Sequence, residues 1–215
     1  GNGTFSDVAP LAGVHATDWS WGALAADFNL DGHTDLFVSN GVYKDVTDQD
    51  FIAELTTRET AQRMKERGRA EFLNLIEDIP SERLSNYAFR NDDSLQFENA
   101  AATWGLDTPS FSNGAAYGDL DNDGDLDLVV NNLGHGSFVY RNEATTITEN
   151  RYLQVRLEGP PRKPFGIGAR VTVTHDDETY YREQYPMRGF QSASGTRLTI
   201  GVGRTDTVDT VTVAW

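Results

Sequence analysis

Two short apolar runs, Leu36-Phe37-Val38 and Leu128-Val129-Val130, each stand directly after a polar, glycine-containing stretch. Their length and branched or aromatic content predict buried β-strands. Ahead of each polar stretch runs a segment of small residues opened by an aromatic and a serine. These are Trp19-Ser20-Trp21-Gly22-Ala23-Leu24-Ala25-Ala26 and Phe111-Ser112-Asn113-Gly114-Ala115-Ala116-Tyr117-Gly118. Further pairs match: Phe5-Ser6-Asp7-Val8 with Phe97-Glu98-Asn99-Ala100, and Phe89-Arg90-Asn91 with Tyr140-Arg141-Asn142. The pattern is an internal repeat. Phe89 and Tyr140 lie 51 residues apart but Asp27 and Asp119 lie 92 apart, so 41 extra residues interrupt the first copy.

The interruption, about residues 42–88, has a helical period. Thr47-Asp48-Gln49-Asp50 resembles a capping box with acids at the positive helix end. Phe51, Ile52 and Leu55 share a face, Arg63, Lys65 and Arg67 gather near the negative end, and Gly68 suits a C-terminal stop. A second helix is expected over about 69–78, with Phe72, Leu75, Ile76 and Ile79 spaced for burial and Pro80 closing it. The clustered arginines read as a solvated helix face.

From residue 150 the period returns to two. Tyr152–Leu157, Ala169–Thr174, Tyr180–Tyr185, Arg197–Ile200 and Val208–Val213 alternate, predicting five strands in a small sandwich or barrel. Gly166-Ile167-Gly168 lacks the full nucleotide-loop fingerprint and precedes a strand, so it reads as a turn. The chain is thus expected to be mainly β. A repeat region over 1–149 carries the helical insertion, and a truncated β domain occupies 150–215.

The polar stretches carry the candidate chemistry. Asp119-Leu120-Asp121-Asn122-Asp123-Gly124-Asp125-Leu126-Asp127 places oxygen donors at alternate positions around a turn-permitting glycine. Side chains of Asp119, Asp121, Asp123 and Asp127, joined by the carbonyl of Asp125, suit a hard cation that takes about six to eight oxygens, hence calcium. Asp27, Asn29, Asp31, His33 through its carbonyl, and Asp35 repeat the spacing, giving two calcium sites. Asn29 replaces an aspartate, so the first site has fewer carboxylates and is expected to bind more weakly. Nothing basic lies inside either loop to relieve its charge. An EF-hand would need Glu at loop position twelve, where Val38 and Val130 stand.

Composition narrows the picture further. The net charge of -15 opposes nucleic acid or an anionic membrane as partner, and two divalent ions would leave about -11. There is no cysteine for disulfide or thiolate chemistry. No apolar run is long enough to insert in a membrane, and the start shows no export signal. The abrupt ends, Gly1-Asn2-Gly3 in a turn and Val211-Thr212-Val213-Ala214-Trp215 in a strand, read as those of a fragment.

The repeats resemble the FG-GAP or VCBS calcium-binding repeats, on aromatic-x-x-Gly-Ala-Ala before Asp-x-Asp-x-Asp-Gly-x-x-Asp-Leu at 111–128. The C-terminal part resembles the ASPIC/UnbV domain. The residues that carry this second resemblance are Gly166–Val171, Arg188–Ser192, Leu198–Gly203 and Val208–Trp215. The resemblance implies β-propeller-type blades with calcium loops, an extracellular or cell-surface location, and a non-catalytic adhesion or binding role toward a protein or glycan ligand. Two repeats do not close a propeller, which takes at least about four blades.

Two further readings stand beside this one. Paired carboxylates could make the chain an ancillary or catalytic module of a secreted polysaccharide-degrading enzyme, a hydrolase or lyase. However, the aspartates are used as ligands, and His15, His33, His135 and His175 belong to no nucleophile or zinc motif. Trp19, Trp21, Trp104 and the pair Tyr180-Tyr181 could form platforms for sugar or protein, although aromatics in β proteins more often pack the core.

Overall fold

The computed structural model describes residues 3–215. The turn expected at Gly1-Asn2 lies outside them. A four-residue helix, α1 (Ala9–Ala12), precedes β1 (Ser20–Ala26) and β2 (Asp35–Asn40). These pair antiparallel with Ala26 opposite Asp35 and Leu24 opposite Phe37, and both of the latter side chains are fully buried. Three helices follow: α2 (Gln49–Leu55), α3 (Arg58–Arg67) and α4 (Arg69–Asp78). Then β3 (Tyr87–Arg90) and β4 (Glu98–Asn99) complete an antiparallel sheet in the order β1-β2-β3-β4.

The second blade repeats the plan. β5 (Ser112–Gly118), β6 (Asp127–Asn132) and β7 (Phe138–Tyr140) form a three-stranded meander with Gly118 opposite Asp127. Leu36 pairs with Phe89 in the first blade as Leu128 pairs with Tyr140 in the second. The connection from β2 to β3 has 46 residues where that from β6 to β7 has five. The helical insertion therefore sits in a single inter-strand loop. One core joins the blades, with Leu24, Phe37, Ala88 and Ala101 from the first packed with Ala115, Leu128 and Val130 from the second. Two blades do not close a ring, and no closed propeller forms among the described residues.

Helix α5 (Ala144–Ile147) leads into the C-terminal strands β8 (Tyr152–Arg156), β9 (Arg170–His175), β10 (Glu178–Glu183), β11 (Arg197–Gly201) and β12 (Thr210–Ala214). β8 pairs with β11, while β9 lies between β10 and β12. Alternation puts Val171, Val173, Leu198 and Ile200 on the facing sides, where they form a second core with Leu157.

Phe5 is fully exposed, so the match of Phe5–Val8 to Phe97–Ala100 is one of sequence only. Three local expectations need correction. The first insertion helix is broken, because Thr57 caps a new helix by accepting from the Thr60 N–H at 3.1 Å. Asp48, not Thr47, caps α2, accepting from the Phe51 N–H at 2.7 Å. Phe51 and Leu75 are buried, whereas Ile52, Leu55, Phe72 and Ile76 are at least one-third exposed.

The insertion arginines form a solvated face only in part, since Arg67 is exposed while Arg63 is half-buried. Arg63 Nε lies 3.3 Å from Glu71 and its Nη2 3.3 Å from Glu54, while Arg67 reaches Glu71 at 3.5 Å. Glu71 is buried, so these arginines compensate an interior charge and tie the three helices together.

Candidate metal centre

The loops Asp27–Asp35 and Asp119–Asp127 connect β1 to β2 and β5 to β6. Their backbones match. Leu30 and Asn122, at the fourth position, have φ of 62° and 63°; Gly32 and Gly124, at the sixth, have 96° and 103°. Only glycine reaches the sixth-position conformation without strain. A second constraint acts at that place, because a Cβ on Gly32 would collide with the Tyr180 ring, and one on Gly124 with the Tyr152 ring.

The ninth-position aspartates are clamps. Asp35 Oδ2 accepts the Phe28 N–H at 3.0 Å and Oδ1 the Asn91 N–H at 2.9 Å. Asp127 does the same with Leu120 at 2.8 Å and Asn142 at 2.9 Å. Each asparagine also donates its side-chain amide to the eighth loop carbonyl, Asn91 to Thr34 and Asn142 to Leu126. The asparagine of the repeated Arg-Asn pair, visible in the sequence without an evident purpose, thus ties each loop to the segment after the third strand of its blade.

In the second loop Asp119, Asp121 and Asp123 bring carboxylate oxygens within 4.8 Å of one another. Oxygens that share a calcium ion at about 2.3–2.6 Å lie no more than about 5 Å apart, so this triad fits the ion. Asp119 Oδ1 is buried and has no hydrogen-bond partner, a costly state for an anionic oxygen unless a cation meets it. Asp125 Oδ2 accepts from the Thr145 N–H and hydroxyl at 3.1 Å, while its Oδ1 is buried without a hydrogen-bond partner. Asp127, held by its two amides, is outside the triad.

The first loop is more self-satisfied. Asp31 accepts from Asn29 Nδ2 at 2.7 Å and from the His33 N–H at 2.9 Å, and Asp27 Oδ2 accepts from the Gly32 N–H at 3.0 Å. Among the described residues Asp27, Asp31 and Asp35 form no comparable triad. Asp27 Oδ1 is nevertheless buried and unpartnered.

Basic side chains reach both loops from elsewhere in the chain, which the loop sequences alone conceal. Arg182 Nη2 lies 3.6 Å from Asp27 Oδ2, Arg197 Nη1 3.6 Å from Asp119 Oδ2, and Arg141 Nε 3.0 Å from Asp121. They do not abolish the electrostatic cost. Burial pushes Asp27 up to about 6 despite Arg182, and Asp35 up to about 7 despite its two amides. Asp123 is raised to about 6 by desolvation, with Asp125 and Asp121 adding repulsion. These carboxyls ionise less readily than free aspartates, a cost that a bound cation would offset.

Other candidates disperse. His33 Nδ1 lies 3.7 Å from Asp93, and His175 groups with Asp176 and Asp209 at an exposed hairpin turn. Trp104 packs against the shared core, Tyr180 covers Gly32, and Trp19, Trp21 and Tyr181 are partly exposed. A cleft of about 660 Å³ opens between the second blade and the C-terminal sandwich. Tyr117, Leu120, Leu157 and Phe165 line it, and Asp119 and Arg197 stand in its wall. Sequence reasoning missed this cleft, because its walls come from segments distant along the chain.

Comparison with known families gives two matches. Residues 68–130 match the FG-GAP-like repeat, a span holding α4, β3 to β5 and the second loop. Residues 159–215 match the ASPIC and UnbV domain, a span holding β9 to β12. No curated protein matches the chain. Together the two matches point to a repeat-built module of the binding type.

Proposed function

We propose, from the premise that this chain joins an FG-GAP-like repeat to an ASPIC and UnbV domain, that it is a calcium-stabilised binding or adhesion scaffold acting outside the cell or at its surface, without catalytic chemistry of its own. The observation that carries the reading is the Asp119, Asp121 and Asp123 triad, with the buried and unpartnered Oδ1 of Asp119 beside it.

Calcium at the second loop would be held by Asp119, Asp121 and Asp123. At the first it would be held by Asp27, with Asn29 and Asp31 contributing oxygens once released from their mutual hydrogen bond. The ion supplies positive charge and oxygen coordination; the chain supplies the geometry. Phe28 and Leu120 donate to the clamping aspartates, which fix where each loop leaves its hairpin. Ion affinity becomes fold stability, because the unfolded chain does not assemble these oxygens.

The carboxylates support a structural role over acid–base work. Asp35 and Asp127 are buried and saturated by backbone amides, and so poorly placed to exchange protons with a substrate. The 660 Å³ cleft has the size of a ligand site and presents Phe165 and Leu120, each more than half exposed, beside Arg156 and Glu158. A protein side chain or a sugar face fits that mixture of apolar and charged lining.

Immobilised polysaccharides and extracellular-matrix proteins incubated with the chain, in calcium and in chelator, test the assignment. Calcium-dependent retention without new reducing ends or unsaturated products is expected. Turnover of any glycan would overturn the non-catalytic reading.

A further inference from the structure

The two loops have the same relationship to the C-terminal sandwich. Strand β10 sends Tyr180 and Arg182, two residues apart and so on one face of the strand, onto the first loop. Tyr180 covers Gly32, and Arg182 stands 3.6 Å from Asp27 Oδ2. Strand β8 sends Tyr152 and Gln154, also two residues apart, onto the second loop. Tyr152 covers Gly124, and Gln154 Nε2 donates to Asp119 Oδ2 at 2.6 Å. The same device, a tyrosine on the sixth-position glycine and a polar side chain on the first aspartate, is thus applied twice.

The two first aspartates share one outcome and differ in another. Asp119 Oδ2 accepts from Gln154 of the sandwich, whereas Asp27 Oδ2 accepts from the loop's own Gly32 N–H with Arg182 in ion-pair range, and in both Oδ1 is left buried without a hydrogen-bond partner. For Asp119, whose side chain is only 5% exposed, no water-facing alternative exists for that oxygen. A carboxylate pinned through one oxygen has the placement of its other oxygen restricted, and Asp119 is one of the three aspartates whose carboxylate oxygens lie within 4.8 Å of one another. Further bonds fasten the loop backbones to the same domain and its approach segment. Gly203 N–H donates to Leu30 O at 3.1 Å, and Asn150 Nδ2 to Asn29 O at 2.9 Å. Arg197 stands 3.4 Å from both Asn122 Oδ1 and Gln154 Oε1.

We infer that the C-terminal sandwich is the positioning shell of both cation loops, with Gln154 as the positioning residue for Asp119, so that cation binding and docking of the sandwich onto the blades are one linked equilibrium. This rests on the calcium reading above and deepens it by assigning the second domain a role in the site. Partners one shell beyond a metal's ligands fix ligand orientation, and their loss typically costs 10- to 100-fold in metal affinity. Linkage is reciprocal: whatever the docked sandwich adds to ion affinity, the ion adds to docking.

The test uses the full chain, calcium titration by calorimetry, and amide hydrogen exchange with and without calcium. Gln154→Met keeps the side chain's length and removes the donor; Gln154→Asn keeps an amide but is one methylene short. Both are expected to weaken the tighter calcium site about tenfold while leaving the weaker site unchanged. Calcium is expected to slow exchange through β8 and β11 of the wild-type chain, and to do so less in either variant. Wild-type affinity in both variants, or exchange in β8 and β11 indifferent to calcium, would overturn the inference while leaving the calcium reading intact. A wild-type chain that binds no calcium would overturn both.

Discussion

Asp127 Oδ1 accepts the backbone N–H of Asn142 at 2.9 Å, joining the end of the second acidic loop to the second residue after β7. Asp35 and Asn91 form the same bond at 2.9 Å in the first blade, although the helical insertion separates them by 56 positions. The ninth aspartate of each loop is therefore a structural clamp in its own right. Asp127→Ala leaves two backbone amides without a charged acceptor and is expected to cost about 2–3 kcal/mol. Urea denaturation in chelator measures it, because the loss does not depend on an ion.

The triad positions behave differently. Asp123→Ala removes a charged candidate ligand, whereas Asn29→Ala removes a neutral one from the more self-satisfied loop. In calcium, Asp123→Ala is expected to lower the melting temperature more than Asn29→Ala, and chelator should narrow the gap. Equal losses in calcium would contradict the ranking of the two sites.

The acidic groups give a pH signature. Asp27 and Asp123 titrate near 6 and Asp35 near 7 in the folded chain, against an ordinary value of 3.8. The folded state then binds more protons than the unfolded state between about pH 4 and 7, so stability without metal falls as pH rises through that window. Calcium requires the ionised carboxylates, so its stabilising effect should grow over the same interval and its uptake should release protons. Melting curves at pH 5 and pH 7.5, each with calcium and with chelator, check this; a calcium shift that is equal or larger at pH 5 would be inconsistent.

Gly124 carries both a left-handed φ of 103° and the Tyr152 ring. Gly124→Ala combines backbone strain with overpacking and is expected to cost about 2–4 kcal/mol. Shortening the ring in Gly124→Ala/Tyr152→Ala should relieve the collision but not the strain, giving a double-mutant cycle with favourable coupling. Strictly additive losses would show that the contact carries no energy.

How much of this the sequence revealed depends on the range of the interaction. The strands announced themselves through alternation, as at Arg170–His175, and the loops through their nine-residue spacing, because both signals are local. The insertion was visible as a change of period, yet the break at Thr56-Thr57 was not, since a hydroxyl cap competes with helix propagation by only about 1 kcal/mol. Nothing in the local pattern distinguishes Glu71 from the surface acids around it, because its burial against Arg63 and Arg67 comes from the packing of separate helices. What the sequence hid most completely was the sandwich above the loops. Tyr152, Gln154 and Arg182 read as ordinary residues on alternating strands and Tyr180 as half of a candidate sugar or protein platform, and only the tertiary arrangement shows that they meet two glycines and two aspartates.

If the acidic loops hold divalent cations and the sheets depend on them, the melting temperature of the full chain at neutral pH must differ between millimolar calcium and chelator. Free calcium at about 100 times the dissociation constant of one site adds about 2.7 kcal/mol, and for a chain of this size that predicts a rise of about 5–10 °C. A melting temperature that is the same in calcium and in chelator would contradict the account.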